Sequence, residues 1–97
     1  MKGRSPTKEE REWMNSAAEF GCVVCHIDLG VFSPAAIHHL SGKTKPGAHL
    51  LSFGLCPRHH QIPGPGYVSR HGDGKARFEA RYGSESELLE FVRAKLL

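Results

Sequence analysis

Apolar positions recur at helical spacing near both ends of the chain, and shorter strand-like runs lie between them. In "SPTKEEREWMNSAAEFG", Trp13, Met14, Ala17 and Phe20 fall at roughly three- and four-residue intervals, which is one face of a helix. Ser5 is a suitable N-cap, Pro6 suits the first helical position because its missing N–H leaves nothing unsatisfied, and Gly21 ends the run. Next come two apolar runs, "AAIHHL" and "HLLSFGLC", separated by the turn residues of "SGKTKPG". This pattern predicts a hairpin over residues 35–56 with a long basic loop. "PRHHQ" opens a short helix that "PGPG" cannot extend, because proline and glycine break the helical ladder. "DGKARFEARYG" predicts a further short helix. Ser84 and Glu87 then form a capping box for a terminal helix carrying Leu88, Leu89, Val92 and Leu96. The terminal helices are expected to act as packing elements.

Length changes the picture first. A chain of 97 residues is expected to form one domain with a marginal core. Such a chain buries only about 60–65% of its unfolded surface, so a metal staple would strengthen it. Three cysteines cannot close a disulfide framework without leaving one thiol over. No charged start leads into an apolar run with a cleavage site, and no stretch approaches a membrane span. The expectation is a reducing cytoplasm, where clustered cysteines bind metal more often than they pair.

The net charge of +3 is unevenly spread. Residues 1–37 and 83–97 each sum to −1, whereas residues 38–82 sum to +5. A basic middle suits a polyanionic partner such as nucleic acid.

Two candidate chemistries meet in "GCVVCH". Cys22-x-x-Cys25-His26 fits covalent haem attachment, and it also fits one knuckle of a structural zinc site. A c-type cytochrome would mature outside the cytoplasm and usually needs a distal methionine, and the only internal one is Met14, upstream on the first helix. The zinc reading gains from "LCPRHH", where Cys56-x-x-His59 supplies a second two-residue-gap pair about thirty residues after the first. Each short gap lets two side chains reach one ion from a single turn, and the hairpin brings the two turns together. Cys22, Cys25, Cys56 and His59 are therefore the expected ligands of a structural Zn2+, with His26 merely a neighbour. The plainer alternative is ordinary buried cysteines and surface histidines.

Five histidines remain: His38, His39, His49, His60 and His71. Adjacent strand residues point to opposite faces, so His38 and His39 should have separate roles. His60 directly follows a zinc ligand, which would hold it firmly in place. Two strands followed by a short helix, with histidines on each, could hold a catalytic divalent ion and a general base.

The order Cys-x-x-Cys, "HH", a strand, then "LCPRHH" resembles the HNH, or ββα-metal, nuclease superfamily. "SPTKEEREWMNSAAEFGCVVC", "AIHHLSGKTKPGAHLLSFGLCPRHHQ" and "HGDGKARFEARYGSESELL" resemble more closely the phage recombination-enhancement nuclease family, Ref. The likeness spans about residues 5–92. It implies an α+β fold: a small zinc-stapled ββα-metal (HNH) domain over residues 1–97, with its core at about 21–72 and helical flanks at 5–20 and 73–96. It also implies a DNA endonuclease that depends on a host recombinase filament, with a phage or prophage origin and a bacterial cytoplasmic setting.

Residue by residue, the resemblance assigns His39 as the general base, His38 as the neighbouring metal ligand and His60 as the helix ligand of Mg2+ or another divalent ion. Where some members carry a third ligand, one helical turn after His60, this chain has Gly64, and His71 is the natural substitute. The asparagine that orients the base in the family falls at Leu51, and His49 is the best replacement. Lys43, Lys45, Arg58, Arg70 and Arg77 are candidates to hold the DNA backbone. No dimer surface is evident, so a monomer is expected. The competing expectation is a zinc-dependent nucleic-acid-binding module without cleavage, which would have no use for His39 beside a metal ligand.

Overall fold

The computed structural model describes residues 5–40, 48–62 and 64–96. Lys43 and Lys45, in the basic hairpin loop, lie outside the described residues. Along the chain run α1 (Lys8–Phe20), a wide π-type turn (Cys25–Leu29), β1 (Ala36–His39), a 3-10 turn (Ala48–Leu50), β2 (Ser52–Leu55), α2 (Pro57–His60), α3 (Lys75–Tyr82) and α4 (Glu85–Leu96). The fold is thus small and α+β, with a two-stranded antiparallel sheet and, among the described residues, four α-helices. Among the same residues no helix is long and apolar enough to cross a membrane.

The first helix starts later than the sequence pattern suggests. Its N-cap is Thr7, not Ser5. Thr7 Oγ1 accepts from the Glu10 N–H at 3.2 Å, while Thr7 N–H donates to the Glu10 carboxylate at 2.7 Å. Thr7-x-x-Glu10 satisfies two orphan amides at once, whereas Ser5 has Lys8 three residues on and can satisfy only one. At the other end, Ser84 and Glu87 make the expected reciprocal cap: Ser84 N–H donates at 2.8 Å and Glu87 N–H at 3.1 Å.

The hairpin pairs Ala36 with Leu55, Ile37 with Gly54, His38 with Phe53 and His39 with Ser52. The returning strand is shorter than expected, because residues 48–50 close a tight turn instead. Leu51 N–H donates to the Ala48 carbonyl at 3.1 Å, and Ser52 Oγ–H to the His49 carbonyl at 2.7 Å. Trp13 Nε1–H donates to the Ser52 carbonyl at 2.9 Å, so α1 is tied to the start of β2.

β2 is buried along its whole length and lies in the core. Phe53 and Leu55 pack there with Val23, Val24, Phe78, Leu88, Leu89 and Val92, and the three cysteines belong to the same cluster. Two glycines permit the closest approach in this region. A Cβ on Gly54 would come within 2.6 Å of the Gly21 carbonyl oxygen and 2.9 Å of Ala35 Cβ. Gly21, at φ +86°, ends α1 in the left-handed region that favours glycine. The segment bearing Cys22 and Cys25 is thereby laid against β2, which Cys56 directly follows.

Candidate metal centres and the histidine site

Two groups of metal-ligating side chains converge among the described residues: Cys22, Cys25, Cys56 and His59, and His38, His60 and His71.

The first group is built from two tight turns. Cys25 N–H points at Cys22 Sγ, 3.4 Å away, and His59 N–H bonds the Cys56 carbonyl at 3.1 Å, so each pair faces one point. Tetrahedral coordination, at about 2.3 Å to sulfur and about 2.0–2.1 Å to nitrogen, sets sulfurs about 3.8 Å apart and sulfur–nitrogen pairs about 3.6 Å apart. Cys25 Sγ and Cys56 Sγ are 3.7 Å apart, and His59 Nδ1 lies 3.5, 3.5 and 3.2 Å from the sulfurs of Cys22, Cys25 and Cys56. These are the edges of a coordination tetrahedron, and the residues fit a metal ion such as zinc. Burial pushes the Cys22 thiol up to about 12, raises Cys25 and lowers His59. A cation reverses the cysteine shifts, because a coordinating thiol loses its proton outright. Tyr67 and Tyr82 pack edge-on against the His59 ring, at centroid distances of 5.4 and 5.2 Å. His26 stays outside this group: it is exposed, its ring 4.8 Å from Phe20 and 5.6 Å from Phe91.

The second group assembles from three segments. His38 comes from β1 and His60 from the last residue of α2, whereas His71 arrives from beyond the "PGPG" break. Two backbone hydrogen bonds bring that segment back alongside α2: Arg70 N–H to the His59 carbonyl and His71 N–H to the His60 carbonyl, both 2.8 Å. Ring centroids are 5.3 Å apart for His38–His60 and for His38–His71, and 4.9 Å for His60–His71. One nitrogen from each ring lies within 4.8 Å of the others. Burial, then the neighbouring cationic groups, lowers His60 to about 4. His38 is also lowered, by burial first, with Glu85 opposing and Arg70 and His71 adding to it. A divalent ion requires neutral imidazoles, the form these shifts favour in His38 and His60, and the three rings together could hold one. Three nitrogen donors suit zinc or nickel better than magnesium, which favours oxygen.

His39 turns to a different partner, as strand alternation requires. Its Nε2 is 2.9 Å from His49 Nδ1, with ring centroids 5.0 Å apart. His49 itself is buried and sits in the 3-10 turn rather than in a strand.

The basic residues divide. Arg58 is exposed on α2, donating to the Tyr67 hydroxyl at 2.6 Å and lying over its ring. Arg77 is exposed on α3. Arg70 instead directs its Nε–H to Glu85, and its side chain is only 18% exposed.

Glu85 is the residue the sequence pattern did not reveal. It is buried at the start of α4, and one oxygen, Oε2, meets both His38 Nε2 at 2.6 Å and Arg70 Nε at 2.5 Å. Burial acts to raise its carboxyl, but the hydrogen bonds from Arg70 and His38 outweigh that and hold it below the usual carboxylate range. An acidic residue in a first helical turn is so common that nothing in the sequence separates it from Glu87.

Against known families, the model described as "recombination enhancement, RecA-dependent nuclease" matches residues 6–97.

Proposed function

The chain belongs to that family of RecA-dependent nucleases of recombination enhancement, and from this premise we propose that it is an HNH-type, metal-dependent DNA endonuclease. The observation that carries the reading is the convergence of His38, His60 and His71 one strand residue away from the His39–His49 pair. β1, β2 and α2 are read as the ββα unit, stapled beneath by the Cys3His cluster.

His38, His60 and His71 would hold the ion. When bound, a divalent cation offsets charge on the scissile phosphate and on the departing 3′ oxygen. The protein's own part falls to His39. Its Nε2 lies 2.9 Å from His49 Nδ1, a contact that orients the ring, and the imidazole takes a proton from the attacking water. His49 so takes the orienting role of the family's asparagine. A neutral imidazole near its working pH is suited to this step, which is worth about 10²–10⁴ in rate. Arg58 and Arg77, both exposed, are assigned to backbone phosphates, and Lys43 and Lys45 take the same role by charge alone. The filament requirement follows the family's description and makes RecA on DNA the working partner.

The test is cleavage of single- and double-stranded DNA, naked and paired with a RecA filament, by wild type and His39→Ala. Magnesium, manganese, nickel and zinc are each added in turn. Ion-dependent cleavage that disappears in a folded His39→Ala protein supports the assignment. Persistent cleavage by that variant removes His39 from the role. DNA binding without cleavage under every condition would leave a zinc-dependent binding module instead.

A further inference from the structure

The His38 ring has two nitrogens and, on the reading above, two obligations. Its Nε2 is 2.6 Å from Glu85 Oε2. An ionised carboxylate can only accept, so this contact needs a hydrogen on Nε2. A ring nitrogen that carries a hydrogen cannot ligate a cation. The lone pair of neutral His38 therefore resides on Nδ1. Phe53 packs 5.5 Å from the ring and limits its rotation.

Glu85 is unusual in its own right. It is 3% exposed, in a chain whose other helix-start acids, apart from the capping Glu10, face solvent. A buried carboxylate without compensation is strongly destabilising, and this one is compensated by the pair it joins, His38 and Arg70. Its backbone N–H also donates to the Glu79 carboxylate at 2.8 Å, which fixes the start of α4 against α3. Through Arg70, the same carboxylate steadies the residue next to His71, the most exposed member of the trio.

We propose that Glu85 is a positioning residue of the histidine site, its one oxygen holding His38 in the Nε2–H tautomer, which leaves Nδ1 as the nitrogen able to ligate, and anchoring the segment that carries His71. The proposal rests on the ion-site reading of the trio. Carboxylate–histidine–metal arrangements of this kind typically alter metal affinity about 10- to 100-fold when the outer partner is removed.

The experiment uses the full chain carrying one equivalent of zinc. Long-range proton–nitrogen NMR reads the His38 tautomer, and calorimetric titration with Ni2+ reads a second ion. Wild type is expected to show His38 as Nε2–H and to bind Ni2+ at a second site. Glu85→Ala should lose that tautomer preference and bind Ni2+ about 10- to 100-fold more weakly, with the first zinc equivalent retained. Glu85→Gln, whose amide oxygen can still accept from Nε2–H, should keep the tautomer and recover most of the affinity. Should Glu85→Ala fail to fold, the wild-type tautomer and the Glu85→Gln titration decide the matter alone. An Nδ1–H tautomer in wild type overturns the proposal, as does unchanged Ni2+ affinity in Glu85→Ala. A wild type with the Nε2–H tautomer but no second ion would sink the ion-site reading, and the positioning role with it.

Discussion

The two ligand clusters share α2 yet differ in how they meet solvent. Cys22, Cys25, Cys56 and His59 are all buried, whereas His38, His60 and His71 grade from buried through intermediate to exposed. The first offers four donors and leaves no position for a substrate. The second offers three and opens outward, which on the proposed reading leaves room for a phosphate and a water. His59 and His60 are consecutive, so one turn of helix serves both. The closed cluster can thus fix the geometry of the open one through a single helical turn.

Breaking the closed cluster should have the largest effect. Structural zinc contributes on the order of 10 kcal/mol or more, comparable to the entire stability of a small domain. Cys56→Ser, or a strong chelator, is expected to abolish the folded state by circular dichroism. A Cys56→Ser protein with native melting behaviour would show that the staple is dispensable.

His39→Ala should do the opposite, leaving fold and zinc content intact while lowering cleavage about 10²–10⁴-fold. Initial rates and thermal melts on the same preparation separate the two effects. If this variant instead melts like Cys56→Ser, the division between structural and reactive histidines fails.

Gly54→Ala probes the joint between the two knuckles of the closed cluster. Its methyl would meet the Gly21 carbonyl at 2.6 Å, and such overpacking typically costs about 1–3 kcal/mol. Urea unfolding should register that loss, and an unchanged midpoint would mean the two backbones can separate freely.

The smallest effect is expected from Trp13→Phe, which deletes the hydrogen bond to the Ser52 carbonyl. A loss of about 0.5–1.5 kcal/mol is the ordinary range, with zinc binding untouched. Heat or denaturant melts of matched zinc-loaded samples would resolve it, and a coincident loss of zinc would tie α1 to the closed cluster.

The knuckle pairs were legible because both partners of each lie three residues apart, and local backbone geometry alone brings such neighbours together. The separate partners of His38 and His39 follow likewise from the two-residue period of a strand. Errors arose where two local solutions competed. Thr7 displaced Ser5 because only Thr7 has a glutamate at the reciprocal position. The start of "HLLSFGLC" turned into a 3-10 bend because the Ser52 hydroxyl closes it onto the His49 carbonyl.

The charge of Arg70 marks it as a candidate phosphate contact, and nothing local in the chain announces that the fold directs its Nε to a buried carboxylate. His71 enters as a substitute ligand only through the resemblance, because Gly64 stands at the family's position, and the two backbone hydrogen bonds that bring it to His60 have no signature in the chain.

By itself, then, the sequence determined the helices, the two knuckles and the alternating histidines, all properties of residues within a few positions of one another. Tertiary structure alone decided that Glu85 would meet His38 across 47 residues and Arg70 across 15. Such contacts depend on how α4 packs against the sheet. That packing is set by the summed burial of Phe53, Phe78, Leu88, Leu89 and Val92. Burial of this kind is non-directional and proportional to area, so no short pattern of residues can announce which polar groups it will bring together.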